Sequence, residues 1–388
     1  MRIARRVEQL PPYLFAELER KIAEKRAAGV DVISLGIGDP DTPTPAAVVE
    51  EAARQVARPE NHRYPSNRGL PAFREAVADF YRHRFGVELD PDREVLPLLG
   101  GKEGVAHVCF SMLDPGDACL AADPGYPVYS SGPLLAGAEP VLMPLVPELG
   151  FQPDLEAVPA DVRSRANLLF CNYPNNPTGA VVEDDFFERL AGYGLAYGIP
   201  IVHDNAYSEI TFDGHVAGSF LQAPGAREAG IEMFSLSKAY NMTGWRVGAA
   251  VGNAAMIEAL WKLKTNIDSG MFDAIQLASV QALAGSQGSV AEMCEIYRRR
   301  RDTVIAALAA VGIQVPPPKG TIYVWVPVPR AHTSVSFCEL VLEQAGVVVS
   351  PGSSYGPNGE GYVRLSLTLP DDRLTEAMGR IEQHLRVG

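Results

Sequence analysis

Between about residues 45 and 280 the chain alternates short apolar runs with amphipathic stretches, and that alternation leaves few ways to fold. The runs are EVLPLL (94–99), ACLAA (118–122), PVLMPL (140–145), NLLFC (167–171), IPIVH (199–203), MFSLS (233–237) and VGAAVG (247–252). Each has the length of a buried strand. A stretch between them, GLPAFREAVADFYRHRFG, has helical periodicity: Leu70, Phe73, Val77, Phe80, Tyr81 and Phe85 share one face, and Gly86 supplies a stop. Strand and helix in alternation predict an α/β fold with βαβ units and one large, mostly parallel seven-stranded sheet. After residue 280, helices frame the shorter strands TIYVWVPV, GVVVSP and GYVRLSL, which predicts a second, smaller α/β domain. We place the large domain at 45–283, and the small one at 1–44 plus 284–388, with an N-terminal arm.

The formal charge of -13 opposes binding to nucleic acid or an anionic membrane, so an anionic ligand must be captured by a local cluster of donors. The one dense basic run, Arg298 to Arg301, reads as a solvated helix face on which Glu295 pairs with Arg298 and Arg299. Cysteines 109, 119, 171, 294 and 338 are odd in number and form no C-x-x-C pair, which predicts reduced thiols and no zinc site. Cys109 and Cys171 lie in apolar runs and should be core. The histidines have no metal-ligand spacing, so no metal is expected, and His203 reads as an orienting partner of Asp204. MRIARRVEQLPPY lacks the apolar segment of a signal peptide, and no run approaches the roughly 18 apolar residues of a membrane span. A cytoplasmic protein is expected.

Ligands of parallel sheets collect at the carboxyl ends of the strands. The polar clusters of this chain fall at those ends: Gly100-Gly-Lys-Glu, Asp123-Pro-Gly-Tyr126, Asn172-Tyr-Pro-Asn-Asn-Pro-Thr-Gly179, Asp204-Asn-Ala-Tyr207, and Ser235 through Lys238. A lysine amine is a weak nucleophile at neutral pH, but it becomes useful as a Schiff base with an aldehyde cofactor. The flanking groups suit pyridoxal 5'-phosphate, which needs an acid at its ring nitrogen, donors to its phenolate oxygen, a flat partner and a phosphate cup. Asp204 is placed for the pyridinium; Tyr207 and Asn176 can donate to the phenolate; Tyr126 offers a ring face. Ser235, Arg246 and the backbone N–H groups of Gly101 and Lys102, at the start of a helix, can hold the dianion.

The strings NNPTG (175–179), HDNAYSEI (203–210), SLSK (235–238) with GWRVG (244–248), and YVRLSL (362–367) resemble, in order and spacing, the fold-type I, class I/II aminotransferases of the aspartate aminotransferase superfamily. The resemblance covers essentially the whole chain. It implies that Lys238 bonds the cofactor and then moves a proton between the substrate Cα and the cofactor. It implies that Arg364 grips the substrate α-carboxylate with help from Asn176 and the Gly38 backbone. It also implies a homodimer in which Tyr64 reaches the phosphate of the neighbouring subunit, and a glutamate/2-oxoglutarate exchange partner. LGIGDPDTPTP, HRYPSNRGLPAFREAVADFYRHRFG, DPGYPVY and KTNIDSG look most like the short-type LL-diaminopimelate aminotransferases, from which GGKEG departs where GSKEG is usual. That resemblance suggests Lys102, Glu103, Asn266, Asp268 and Ser269 as contacts for the far end of such a donor. Helix capping is the competing reading of Asp268 and Ser269.

Other readings compete. Aspartate, alanine or aromatic donors, or β-elimination, would use the same cofactor site. Gly352-Ser-Ser354-Tyr-Gly356 matches the nucleophile elbow of serine hydrolases, with Asp371 or Asp372 and His384 following, but Ser354 leads into a Gly-rich loop and not a helix. LGIGDP lacks the third glycine of a dinucleotide site, and GGKEG is no P-loop. A lone Asp-x-x-Tyr is commonly a turn, and Arg364 could be a structural ion pair; what favours a site is that the roles complement one another.

Overall fold

The computed structural model describes residues 2–10 and 16–386, so Met1 and residues 11–13 of the N-terminal basic stretch lie outside it. Its strands are β1 (Ile33–Ser34), β2 (Val95–Leu98), β3 (Ala118–Asp123), β4 (Glu139–Pro144), β5 (Ala166–Cys171), β6 (Ile201–Asn205), β7 (Gly230–Ser235), β8 (Gly248–Gly252), β9 (Tyr323–Pro327), β10 (Val347–Val348), β11 (Ser350–Pro351) and β12 (Tyr362–Ser366). The seven apolar runs form one sheet in the order β2-β8-β7-β6-β5-β3-β4. From β4 to β7 each neighbouring pair is parallel, and β8 runs against both β2 and β7. A sheet covered on both faces needs apolar residues at successive positions, and β3, β6, β7 and β8 are buried throughout.

The helices Pro71–Phe85, Asp184–Tyr197 and Asp273–Ala284 contribute to the core that includes Ile201. Gly101–Met112, Val128–Ala136 and Ala254–Lys264 contribute to the core that includes its neighbour Val202, on the other face of the pleat. Pro71–Phe85 ends before Gly86 as expected and buries Phe73, Val77, Phe80, Tyr81 and Phe85. A separate core surrounds the antiparallel sheet β11-β12-β9, covered by the helices Gly288–Ala310, Ser334–Ala345 and Asp371–His384. β1 pairs in parallel with β10, which ties the N-terminal segment to the C-terminal part of the chain. Cys109 and Cys171 are core residues, and all five cysteines are free. Among the described residues no helix is long and apolar enough to cross a membrane.

The basic run departs from its expected solvated face. Successive helical residues are about 100° apart around the axis, so four consecutive arginines cannot share one side. Arg298 pairs with Glu295 and Asp302, as a surface residue does. Arg299 is exposed and reaches Asp371 at 3.4 Å, not Glu295. Arg300 and Arg301 are buried. Arg300 makes a bidentate pair with Asp41 (2.7 and 2.9 Å) and also donates to Asp371 (2.7 Å), joining the long helix to the N-terminal segment and the last helix. Arg301 pairs with Asp213 and Asp302. Arg300→Ala removes a buried side chain and leaves Asp41 and Asp371 unpaired but accessible to water, so it should cost about 1–2 kcal/mol in equilibrium denaturation. Arg299→Ala should stay within about 0.5 kcal/mol of the parent protein.

Candidate active site

At the carboxyl ends of β2, β3, β5, β6 and β7 lies a cavity of about 540 Å³. Lys238, Asp204, Tyr207, Asn176, Tyr126, Ser235, Arg246, Gly101, Lys102, Gly38 and Arg364 all line it; Glu103, Asn266, Asp268 and Ser269 do not, and Tyr64 is 90% exposed on the surface of the chain. Arg246 arrives by a different route. It precedes β8, which runs against β2 and β7 and so begins at the edge where those strands end.

Lys238 lies in the short helix Leu236–Ala239 that follows β7. Its Nζ donates to the carbonyl of Gly38 at 2.6 Å, and burial holds its amine below the ordinary lysine range. Asp204, near the end of β6, is buried with Tyr129 donating to Oδ2 at 2.8 Å. Burial pushes its carboxyl up to about 6, against the opposing pull of Tyr129 and His203. The side chain of His203 is not the orienting partner of Asp204. Adjacent residues of a strand face opposite sides, and His203 Nδ1 instead pairs with Glu232 at 2.9 Å.

The helix Gly101–Met112 presents its N-terminus to the cavity, where unpaired N–H groups favour an anion. Gly100, at φ +85°, must be glycine: a Cβ there would stand 2.2 Å from Arg246 Nη2. Arg246 therefore lies directly against this backbone. The Ser235 hydroxyl, at the end of β7, caps the helix that carries Lys238. Lysine, arginine, serine and a helix start together could hold a dianionic phosphate.

Arg364, on β12, is buried with its guanidinium carbon 3.9 Å from the Tyr323 ring centre and 4.7 Å from that of Tyr355. It donates to Asn176 Oδ1 and to the Gly36 carbonyl, both at 2.9 Å, while Nε has no partner. Tyr207 donates to the Tyr323 hydroxyl at 3.3 Å. Tyr126 packs edge-on against Tyr129, with Lys102 Nζ 5.9 Å from its ring centre. Sequence reasoning missed Tyr129, Tyr323 and Tyr355. Tyr129 lies three residues after Tyr126, in the first turn of the helix that follows the Asp123–Tyr126 cluster.

The expected contacts for a distal group are in part committed within the chain. Glu103 accepts from buried Lys264 at 2.7 Å, and Asp268 accepts from the same amine at 2.9 Å. The oxygens of Glu103 and Asp268 and a His107 nitrogen lie within 4.8 Å of one another, with the Lys264 ammonium bonded to both carboxylates. Asp268 also accepts from Gly270 N, and Asn266 donates to Lys262 O; both are local capping bonds. Ser354 ends the serine-hydrolase reading: its hydroxyl is buried without a hydrogen-bond partner, in a short 3₁₀ turn.

A ligand with a phosphate at one end, a cationic ring nitrogen for Asp204 and an aldehyde facing Lys238 fits these residues. The buried Asp204 carboxyl and the Gly100–Arg246 approach are the observations that suit it. Fold and site together define a fold-type I, pyridoxal-phosphate-dependent aminotransferase. The sequence profile of the aminotransferase class I and II family matches residues 30–381, and the chain belongs to that family. It is 56% identical to an LL-diaminopimelate aminotransferase of Desulforudis audaxviator over 97% of this chain and 96% of the relative. It is 55% identical to one of Moorella thermoacetica over 99% of each. Among solved structures, apo-BacF from Bacillus subtilis superposes with a TM-score of 0.95 at 39% identity over 100% of both chains. A Thermus thermophilus aspartate aminotransferase mutant gives 0.92 at 33% identity over 99% of this chain and 100% of the other.

Proposed function

We propose that the enzyme transfers the amino group of LL-diaminopimelate to a 2-oxo acid, with 2-oxoglutarate as the common acceptor, as a cytoplasmic homodimer serving lysine biosynthesis. The observation that carries the donor is that relatives 49–56% identical over nearly the full chain are LL-diaminopimelate aminotransferases. The aspartate and aromatic aminotransferases among the structural neighbours stand lower, at 32–33%.

Bound pyridoxal phosphate supplies an aldehyde that captures the amine and a protonated ring that stores the electron pair left when the Cα proton departs. The chain supplies the rest. Asp204 keeps the proton on the ring nitrogen, because an adjacent cation favours its ionised form. Tyr207 and the Asn176 amide donate to the phenolate oxygen, and Tyr126 covers the ring. Ser235, Arg246 and the N–H groups of Gly101 and Lys102 hold the phosphate. Arg364, with Asn176 and the Gly38 backbone, orients the α-carboxylate so that the Cα–H bond faces Lys238. The lysine amine, held below its usual pKa by burial, takes that proton and returns it at the cofactor carbon. The large domain at 45–283 carries the cofactor contacts, and the remainder supplies Arg364 and Gly38.

Dimerisation is supported by Tyr64 and Ile267, large side chains left exposed on loops that pack together: a Cβ on Gly270 would lie 2.8 Å from Ser66 O. Mixing Lys238→Ala with Tyr64→Phe protein should, after subunit exchange, restore activity through hybrids that contain one unmutated site. An active monomer by sedimentation would contradict the shared site.

Donor choice is tested by a panel of amino acids. kcat/KM for LL-diaminopimelate should exceed that for aspartate, alanine and phenylalanine by at least about a hundredfold, as expected where buried polar groups need matching partners. A flat profile, or a preference for an aromatic or aliphatic donor, would reject this substrate and leave the aminotransferase intact. Keto-acid and ammonia release without an acceptor would mark a β-lyase.

A further inference from the structure

Tyr323 lines the cavity between Arg364 and Tyr207. Its ring carries the Arg364 guanidinium at 3.9 Å, and its hydroxyl lies 3.3 Å from that of Tyr207. A third contact involves Lys238. Gly38, whose carbonyl holds the lysine amine, faces the same hydroxyl so closely that a Cβ would stand 2.1 Å from it. One buried phenol thus touches the surroundings of the carboxylate grip, the phenolate donor and the catalytic amine.

We propose that Tyr323 is a positioning residue that couples the grip on the substrate α-carboxylate to hydrogen bonding at the cofactor phenolate oxygen, its ring fixing Arg364 and its hydroxyl polarising Tyr207. The inference rests on the roles proposed above for Arg364 and Tyr207.

The ring provides a flat, electron-rich platform for the guanidinium, which the Tyr355 ring also contacts at 4.7 Å. Arg364 then keeps its geometry before a carboxylate arrives. The hydroxyl acts on the other partner. Tyr207 donates to Tyr323 in the structure, but hydroxyl protons rotate, and once Tyr207 donates to a phenolate oxygen the pair is satisfied with Tyr323 as donor. A donor behind Tyr207 makes its own proton a stronger one to give.

The surroundings favour that direction. Charged or titratable groups facing the pair come from Arg364 on β12, Lys238 after β7, Asp204 on β6, Tyr126 after β3, Tyr355 after β11, and Tyr297 of the helix Gly288–Ala310. Burial pushes Tyr207 well above the ordinary phenol range, which keeps it protonated. Burial also opposes ionisation of Tyr323, but Arg364 and Lys238 outweigh it and leave that phenol below its ordinary value. The Arg364 cation lying against its ring favours Tyr323 as the donor within the pair.

Two substitutions in the cofactor-loaded enzyme separate ring from hydroxyl. Tyr323→Phe keeps the platform and removes the donor that favours the deprotonated state around the phenolate. The pH midpoint of the bound cofactor's visible absorption should therefore rise by about half a unit or more. KM for 2-oxoglutarate should stay within about twofold in this variant, since the Arg364 platform is intact. Tyr323→Leu removes both features, and KM for the amino donor and for the oxo acid should rise about tenfold or more. An unmoved midpoint in Tyr323→Phe, or an unchanged KM in Tyr323→Leu, overturns the coupling. Controls isolate the underlying roles: if Arg364→Lys leaves KM unchanged, or Tyr207→Phe leaves the midpoint unmoved, the assignment of that residue fails first.

Discussion

The site depends on the register between β6 and β7, and one buried carboxylate holds that register. Glu232 on β7 is the Cα partner of His203 on β6. Wholly buried, it accepts from His203 Nδ1 (2.9 Å), Tyr81 (2.6 Å), Asn205 (2.7 Å), Ser219 (2.9 Å) and the N–H of Phe220 (2.9 Å). Burial alone would raise its pKa, but His203 and the other donors more than compensate, so it stays below the usual glutamate value. A slip of one residue would turn Glu232 to the opposite face, away from these donors, and carry Asp204 or Lys238 out of the cavity. The lock extends to β5. His203 Nε2 meets the backbone of Tyr173, and Asn172 donates to the Asp204 carbonyl at 2.6 Å. Three strands that each deliver a site residue are therefore aligned by polar groups, of which Glu232 and His203 lie outside the cavity lining.

Electrostatics inside the cavity run opposite to those of the chain as a whole. The net charge is -13, yet Lys102, Lys238, Arg246 and Arg364 all face one cavity. A phosphate and a carboxylate can be gripped at two separate places there, while the acidic exterior discourages polyanions. Asp204 is the acid buried deepest among these cations, and its raised pKa marks it as a group awaiting a cationic partner.

Much of this arrangement was legible in the sequence because period and punctuation encode it. Short apolar runs gave the seven strands, and the polar clusters after them marked the cavity edge, so Lys238, Asp204 and Tyr207 could be placed together without coordinates. What was not legible depends on which way a side chain points across long separations. Arg300 and Arg301 looked like surface charge until Asp41 and Asp213 proved to be their partners. His203 was paired with the wrong neighbour because adjacency in a strand implies opposite faces. Tyr323 lay in a run, TIYVWVPV, that signalled only a strand, and its contacts with Arg364 and Tyr207 span widely separated parts of the chain. Tyr64 is legible only as a motif residue, since the fold of the chain leaves it in solvent.

The central claim is that these strand ends serve one covalent anchor, and reduction of the loaded enzyme tests it most directly. Borohydride treatment followed by peptide mapping should leave the pyridoxyl label on Lys238 alone, in the peptide containing SLSKAYNMTGWR. A label on Lys102, Lys264 or any other lysine, with Lys238 unmodified, would contradict the account.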